Sequence, residues 1–583
     1  MVLHEYTYVF AIGTCFALLE AYNNGANDVA NAWATSVSSR SVTYRQAMLL
    51  CLVFEMTGAL AVGARTASTI KNGIIPIEAF DGNAGVQLLA FACASAGAAI
   101  WVMWCTRNSA HVSSTYSLVS SIAGVGVAAV GASNVEWGWS GGSGLGAIFA
   151  GLAMAPAISA LFAATIFMLV KLTVHLRTNP VPWAVWTSPF FFLIAGTVCT
   201  LSIVYKGSPR LGLAKKPPSF IAGVSLGTGF ALALLSALFF VPYVHAKVIK
   251  KDNTLRWYNV FQGPLLFRRP APAGAEFADV PDYAVMKHGG EDDDEENQDG
   301  PEQGIKGDVI NDKSSANDKS SADDITASIP AEKHQAVARD NEKALMYNET
   351  PQEAYKRLLK RARERHHASL RKQRGPLGWA MRLLHNNPMG AGSVYELHNL
   401  KAICHAPKYA NEVEHLYSFV QVITACTASF AHGANDVGNA VGVWAGMYAA
   451  WSTGRTAASK EPVPLWQIAV VALTICLGFI TYGYNIMKVM GNKITYHSPS
   501  RGSSMEMGAA ITILIFSQYS LPVSTSMCIT GATVGVGLCN GTFKAVNWQR
   551  VGLLMFSWIM TIPIAGAIGG LLMALAVNTP SFA

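Results

Sequence analysis

Gly25-Ala-Asn-Asp-Val-Ala-Asn-Ala32 is the octet around which the chain is organised, because it occurs twice. Gly433-Ala-Asn-Asp-Val-Gly-Asn-Ala440 repeats this octet with a single change. Both octets lie inside long apolar runs, where ionisable side chains are costly and usually face a cavity or an ion path. Asn and Asp also begin helices as N-caps, which requires no function. The repetition favours a cation-binding element used once in each half of a two-fold repeat.

The composition is that of an integral membrane protein. Of the 583 residues, 51% are hydrophobic and 14% are charged. Apolar runs near the roughly 20 residues that cross a bilayer recur on both sides of a polar middle segment, and by this length they number about twelve. The prediction is an all-α polytopic membrane protein. The predicted spans lie near 8–33, 44–63, 85–105, 113–131, 145–174, 184–205 and 220–244, and then near 416–450, 465–487, 506–521, 523–540 and 550–577.

Several classes of protein are disfavoured. The ten Cys residues are scattered without a CxxC pair, which is typical of small apolar side chains rather than of a zinc site. The net charge of +7 is spread along loops and gives no case for a nucleic-acid partner. Nucleophile–base and metal-ligand clusters are not evident outside the repeated motifs, so we expect neither an enzyme nor a cofactor. Met1 to Phe10 lacks the basic start of a cleaved signal peptide.

Basic residues predict the orientation. Met1 to Ser39 and Val551 to Ala583 contain no Lys or Arg, whereas Lys247, Lys250 and Lys251 follow the seventh predicted span. The positive-inside tendency then places the middle segment in the cytoplasm and both termini outside. We therefore predict three regions, which are a first membrane region at 1–246, a cytoplasmic loop at 247–412 and a second membrane region at 413–583.

A second pair of motifs interrupts the apolar runs. His111-Val-Ser-Ser-Thr115 and Pro522-Val-Ser-Thr-Ser526 align when Val112 is placed on Val523, and the octets are then nearly in register. If the octets lie seven crossings apart, the two halves are inverted relative to one another. Short, broken segments in matching positions are the best sequence indication of a substrate site at the middle of the membrane. We expect two inverted repeats with broken or re-entrant helices.

Glu55 is a carboxylate inside the second predicted span. At that depth it is a candidate for a functional site, and a structural pair with an Arg from a loop is the alternative.

The middle segment has a different character. The acidic tract 291–296 and the Ser-rich run 314–324 cannot bury a core and are expected to be disordered. The basic stretch 355–385 predicts a helix, either on an anionic inner leaflet or in solvent.

The paired octets and paired hydroxyl-rich breaks resemble the PiT family of inorganic phosphate transporters. Thr481-Tyr-Gly-Tyr-Asn485, Ser498-Pro-Ser-Arg-Gly502 and Glu414-His-Leu-Tyr-Ser418 look like the fungal plasma-membrane sodium–phosphate symporters. The resemblance covers 1–260 and 405–583. It implies cation-coupled import of inorganic phosphate across the plasma membrane, with sodium as co-substrate and a large cytoplasmic loop. It also implies an inverted-repeat transporter in the lipid bilayer, often a homodimer.

The resemblance assigns roles to residues that match the family's motifs. Sodium would be held by the polar residues of the octets, which are Asn27, Asp28, Asn31, Asn435, Asp436 and Asn439. Phosphate would be held by the hydroxyl rows, with help from Asn31 and Asn439. These rows are Ser113, Ser114, Thr115, Ser524, Thr525 and Ser526. Glu55 and Glu506 match acidic positions that the family uses in transport.

The chain departs from the family's pattern at both breaks. His111 stands where the family has Pro, and Tyr116 stands where it has His, while the second break has Ser526-Met527 in place of Thr-His. His111 would either add a pH-sensitive charge near the phosphate or face a water-filled vestibule.

Alternative functions remain open at this point. A proton could replace sodium as the coupling ion, because Asp and Glu can carry either. Sulfate could replace phosphate, although Asp28 or Asp436 could read the protons that only phosphate carries. A phosphate-sensing membrane receptor is an alternative from another class, but the long loop contains no recognisable signalling domain.

Overall fold

The computed structural model describes residues 3–271, apart from 65, 68–69, 71–73, 109, 140–143, 207–211, 214–215 and 253. It also describes 283, 402 and 404–579, apart from 458–462, 491–493 and 520. Every regular element in these residues is helical. The acidic tract, the Ser-rich run and the predicted basic helix of the middle segment lie outside the described residues.

The first octet lies in the middle of a long helical segment. α1 (Thr7–Asn24) continues through a π-helical turn (Gly25–Val29) into α2 (Ala30–Ser38). Further helices follow before the middle segment, which are α3 (Tyr44–Val62), α4 (Ala84–Arg107), α5 (Ser114–Val130), α6 (Leu145–His175), α7 (Pro180–Lys206) and α8 (Pro218–Ile249).

The second octet lies within one uninterrupted helix, α9 (Asn411–Thr453), which is 43 residues long. The chain then forms α10 (Leu465–Met490), α11 (Pro499–Gln518), α12 (Thr525–Leu538) and α13 (Trp548–Asn578). All predicted spans coincide with helices, and α8 and α9 flank the predicted loop. The exact region boundaries stay a prediction.

The helices have the length and composition of a multi-span membrane protein. Among the described residues, seven are long and apolar enough to cross a membrane, and they are α3, α4, α6, α7, α8, α10 and α13. α5 and α12 are apolar but shorter. An all-helical, multi-span architecture is therefore confirmed, while the count of about twelve spans stays a prediction.

The chain leaves the helical conformation at both predicted breaks. Residues 110–113 separate α4 from α5, and residues 521–524 separate α11 from α12. Each of the two short helices then begins with a Ser N-cap. The Ser113 side chain accepts a hydrogen bond from Tyr116 N, and Ser524 accepts one from Met527 N. These caps satisfy amide groups that the first turn of a helix leaves unpaired.

Helix packing brings the octets and breaks together. α1 packs against α4, α9 and α10, and α9 also packs against α3 and α11. α5 packs on α13, and α12 packs on α6. The octets and the N-termini of α5 and α12 are thereby buried inside one bundle, where the bilayer supplies no hydrogen bonds and polar groups must pair with one another.

Candidate functional site

The polar residues of both octets are buried at the centre of the bundle. None of Asn27, Asp28, Asn435 and Asp436 is more than 2% exposed. The first octet lies on the π-helical turn and the start of α2, and the second lies within α9. Neither octet begins a helical segment, so the interpretation of these residues as simple N-caps is wrong. π-helical turns occur frequently at functional sites.

Each octet binds the break of its own half through the Asn side chain. Val112 N donates to Oδ1 of Asn27 at 3.3 Å, and Val523 N donates to Oδ1 of Asn435 at 3.5 Å. The Asn435 amide returns a hydrogen bond to the Val523 carbonyl at 2.8 Å. These contacts hold the non-helical backbone of each break against its octet.

The Asp side chains bind the hydroxyl rows. Oδ2 of Asp28 accepts hydrogen bonds from Ser114 N at 3.2 Å and from Ser114 Oγ at 2.5 Å. Oδ2 of Asp436 accepts from Thr525 Oγ1 at 3.0 Å, which is the matching contact in the second half. Oδ1 of Asp28 also accepts from Ser526 Oγ at 2.6 Å. Asp28 therefore connects the two breaks.

Each octet also reaches across to the break of the other half. Asn31 Nδ2 donates to Ser526 Oγ at 3.1 Å, and Asn439 Nδ2 donates to Thr115 Oγ1 at 3.1 Å. The predicted octet and hydroxyl residues thus form a single buried cluster, although the residues of the two halves are separated by more than 300 positions in the chain. We call these twelve octet and hydroxyl residues the crossed cluster.

His111 contacts the crossed cluster through Asn31. Its Nε2 lies 2.7 Å from Oδ1 of Asn31, and the residue is 3% exposed. This burial contradicts the alternative in which the ring faces a water-filled vestibule. A pH-sensitive role for His111 stays a prediction.

Glu55 lies in a buried chain of ionisable groups. Its Oε1 is 2.5 Å from Nδ1 of His432, and its Oε2 accepts from Ser429 Oγ at 3.1 Å. Nε2 of His432 is 2.8 Å from Oδ2 of Asp436. The alternative pairing of Glu55 with a loop Arg is therefore wrong, and the carboxylate is connected to the second octet. An imidazole that carries both of its protons can form ion pairs with both carboxylates.

His432 was missed by the sequence reasoning, although a signal was available. It directly precedes Gly433, the first residue of the second octet. In a helix it therefore lies one turn before Asp436, on the same face.

Glu506 occupies a different pocket of polar side chains. Its Oε1 accepts hydrogen bonds from Thr35 and, at 2.5 Å, from Ser36 at the end of α2. Gln421 and Thr424 of α9 donate to the two carboxylate oxygens at 3.0 and 2.6 Å. The structure thus places Glu506 between the two octet helices, rather than at either break.

The hydroxyls of the two breaks are not equivalent, which leads to a testable prediction. Ser526 donates to the Asp28 carboxylate, whereas its counterpart Thr115 donates to the Val523 backbone carbonyl at 3.3 Å. Hydrogen bonds to charged groups contribute more than neutral ones. For the phosphate that the family resemblance implies, we expect Ser526→Ala to raise the concentration that gives half-maximal uptake about tenfold and Thr115→Val about threefold. Phosphate titrations of uptake by the two purified variants check this, and equal effects would contradict it.

The donor types suit two ligands of opposite charge. Carboxylate and amide oxygens are ligands for a hard cation such as sodium. The N-termini of α5 and α12 carry partial positive charge, and their Ser and Thr hydroxyls add donors that suit an anion. Both sets of groups meet in the crossed cluster.

Comparisons with known proteins identify the family. The sequence profile described as "PHO4: Phosphate transporter family" matches residues 24–569. The chain is 37% identical to "Phosphate-repressible phosphate permease pho-4" of Neurospora crassa, covering 100% of this chain and 99% of the relative. It is 26% identical to human "Sodium-dependent phosphate transporter 1", covering 93% and 92% of the two chains.

A solved structure supports the fold. The structure described as "The sodium-dependent phosphate transporter" superposes with a TM-score of 0.62 and 22% identity, covering 98% of this chain and 100% of the other. The family profile spans most of the chain, and the Neurospora crassa relative matches it over its whole length. The chain therefore belongs to the phosphate transporter family.

Proposed function

We propose that this protein is a sodium-coupled symporter that imports inorganic phosphate across the plasma membrane. The observation that carries the proposal is the crossed cluster, in which each octet binds the hydroxyl row of its own half and that of the other half. Cation ligands and anion ligands are thereby interleaved at one buried position. The names of the Neurospora crassa and human relatives support phosphate as substrate and sodium as coupling ion.

The phosphate would bind between the N-termini of α5 and α12. Ser113 and Ser524 cap these helices, and the residues that follow them place hydroxyl and amide donors in the first helical turn. Hydroxyl donors bind phosphate oxygens without adding fixed charge, so binding stays weak enough for release. Asp28 and Asp436 can accept hydrogen bonds from a protonated phosphate, which sulfate at the same pH cannot offer.

Sodium would bind the carboxylate and amide oxygens of the octets, which are Asn27, Asp28, Asn31, Asn435, Asp436 and Asn439. A cation and an anion a few ångströms apart stabilise each other strongly where the effective dielectric constant is low. Each ligand then binds poorly without the other, and by linkage the effect is reciprocal. This mutual stabilisation is the physical basis of coupled transport. Glu55, through His432, and Glu506, between α2 and α9, would adjust the charge and position of the octet helices.

Helix packing supports two inverted repeats. Several main helix contacts map onto one another when α1 is exchanged with α9, α4 with α11, α5 with α12, α10 with α3 and α13 with α6. For example, α1 packs on α4 as α9 packs on α11, and α5 packs on α13 as α12 packs on α6. Leu3 N donates to the Trp451 carbonyl at 3.0 Å, so the start of α1 lies beside the end of α9. The two octet helices are therefore antiparallel, as inverted repeats require. Alternating access would then arise from one repeat moving against the other around the crossed cluster.

Uptake of radioactive phosphate into proteoliposomes tests the proposal. We expect uptake above equilibrium when sodium is higher outside, and none when choline replaces sodium. Uptake driven equally well by a proton gradient alone would favour proton coupling. Equal inhibition by excess sulfate and by excess unlabelled phosphate would favour a general oxyanion transporter. Phosphate binding without any uptake would favour a receptor.

The central loop is expected to be dispensable for transport itself. Deletion of residues 291–324 removes an acidic, Ser-rich tract whose composition cannot form a packed core. We expect the purified deletion variant to retain the wild-type uptake rate in proteoliposomes, because the crossed cluster is built from the membrane regions. A large loss of uptake by correctly reconstituted protein would show that the tract takes part in transport.

A further inference from the structure

Glu20 on α1 is a buried carboxylate that the crossed cluster does not include. It is 1% exposed, and neither carboxylate oxygen has a hydrogen-bond partner among the described residues. Oδ1 of Asn24, one helical turn later and fully buried, is also unpaired within the described part of the chain. Burial of an ionised carboxylate is costly unless a partner compensates its charge. Two unpaired oxygen-bearing side chains on one helix face therefore require an explanation.

Neighbouring contacts place this helix face beside the crossed cluster. Asn23 Nδ2 donates to the Ala99 carbonyl of α4 at 3.1 Å, and Asn24 Nδ2 contacts the Asp436 carbonyl of α9 at 3.4 Å. Glu20 precedes these two residues by about one helical turn, so it lies on the side of α1 that faces α4 and α9. The Asp28 and Asp436 carboxylates both act on Glu20 electrostatically. Glu20 is thus within electrostatic reach of both octet Asp side chains, and none of the three residues is more than 1% exposed.

Comparison of the two halves shows where positive charge is supplied. When the octets are aligned, Glu20 corresponds to Ala428 and Asn24 corresponds to His432. In the second half, the His432 imidazole lies between Glu55 and Asp436 and can carry the compensating charge. In the first half, the corresponding positions hold a carboxylate and a neutral amide. Two carboxylates therefore accompany each octet, Glu20 with Asp28 and Glu55 with Asp436, but only the second pair has an imidazole between its members.

We propose that Glu20 and Asn24 form a further sodium site on α1, adjacent to the first octet. The Glu20 carboxylate and Oδ1 of Asn24 are its side-chain ligands. Both are hard oxygen donors, and a single added cation compensates the charge that the imidazole compensates in the second half. A π-helical turn follows Asn24 directly, so it lies next to this site. The second octet has regular α-helix at the matching position. The inference rests on the proposed sodium–phosphate symport and adds a third place at which sodium binds, beyond the two octets.

The number of sodium ions moved with each phosphate tests this site. Full-length wild type and Glu20→Gln are reconstituted, and uptake of radioactive sodium and radioactive phosphate is measured in the same vesicles. Glu20→Gln keeps the size of the side chain and removes its charge. We expect one fewer sodium ion per phosphate and a sodium concentration for half-maximal uptake that rises about tenfold, since a charge-assisted contact is lost.

Matched variants separate the site from general effects. Glu20→Asp retains the carboxylate and is expected to keep the wild-type ratio. Glu78→Gln makes the same chemical change at an exposed position and is expected to behave as wild type in both measurements. An unchanged ratio together with an unchanged sodium dependence in Glu20→Gln would overturn the site and indicate a carboxyl group that stays protonated.

The outcomes for the site and for the proposed function are distinct. Failure of the wild type to take up phosphate with sodium would refute the symport itself. In the purified wild type, sodium without phosphate is expected to raise the melting temperature more than it does in Glu20→Gln, and equal shifts would count against the site. If Glu20→Gln is not recovered as folded protein, Asn24→Ala replaces it. We again expect one fewer sodium ion per phosphate, and an unchanged ratio with an unchanged sodium dependence would again overturn the site.

Discussion

Sodium-stimulated phosphate uptake will fall about a hundredfold or more in Asp28→Asn, although the protein reaches the membrane in normal amount. The Asp28 carboxylate accepts three hydrogen bonds, two from Ser114 and one from Ser526. Hydrogen bonds to charged groups contribute about 1.5–3 kcal/mol each, and about 2.8 kcal/mol already corresponds to a hundredfold change. The amide in the variant keeps the shape of the side chain, but it carries no charge and directs two N–H donors at groups that are themselves donors.

The measurement compares the initial rates of phosphate uptake by wild type and Asp28→Asn, with and without a sodium gradient. Asp81→Asn is the matched control, because Asp81 is exposed in a turn and remote from the octets in sequence. It is expected to retain wild-type uptake. Normal sodium dependence in Asp28→Asn would contradict the assignment of Asp28 as a sodium ligand.

Asp436→Asn provides a second comparison within the same experiment. Asp436 accepts from Thr525 and contacts His432, but it does not connect the two breaks as Asp28 does. We therefore expect both variants to lose sodium stimulation, with a larger loss of phosphate affinity in Asp28→Asn. This difference arises from the Ser526 contact and could not be predicted from two nearly identical octets.

The main features of the fold and site could be predicted from repetition and hydropathy. The octets, the hydroxyl rows and the helices around them were found because an Asp inside an apolar run is costly and because each motif occurs twice. These are properties of short stretches of sequence. The second copy of each motif, in the other half of the chain, then indicated that the octets and the hydroxyl rows form one site.

The unpredicted features depend on packing between distant parts of the chain. Gly-Ala-Asn-Asp-Val forms a π-helical turn in the first octet and regular α-helix in the second, so its conformation is set by its surroundings. The partner of Glu55 is His432, which is more than 370 positions away. Neither fact is encoded in local propensity. The burial of Glu20 without a partner could likewise be recognised only once α4 and α9 were placed against α1.

A second large effect is expected from Gly25→Ala, which should prevent the first octet from packing. An added Cβ at Gly25 would lie 2.6 Å from the carbonyl carbon of Ile475 in α10 and closer still to its oxygen. Gly478 of α10 makes the reciprocal approach, since its added Cβ would lie 2.8 Å from the Tyr22 carbonyl carbon. Small residues at such crossings let helix backbones approach closely in membrane proteins. A backbone group cannot rotate away as a side chain can, so the two helices must separate.

The cost of Gly25→Ala should reach or exceed the upper end of the about 1–3 kcal/mol typical of overpacking, because backbone must move on both sides. We expect a clearly lower melting temperature in detergent and a poor yield of monodisperse protein. Gly552→Ala in α13 is the matched control, because an added Cβ there meets nothing within 4 Å. Removal of glycine from a helix interior is worth about 0.5–1 kcal/mol, so this control should melt at or above the wild-type temperature. If the two variants melt at the same temperature, then the close approach of the first octet to α10 does not limit the stability of the bundle.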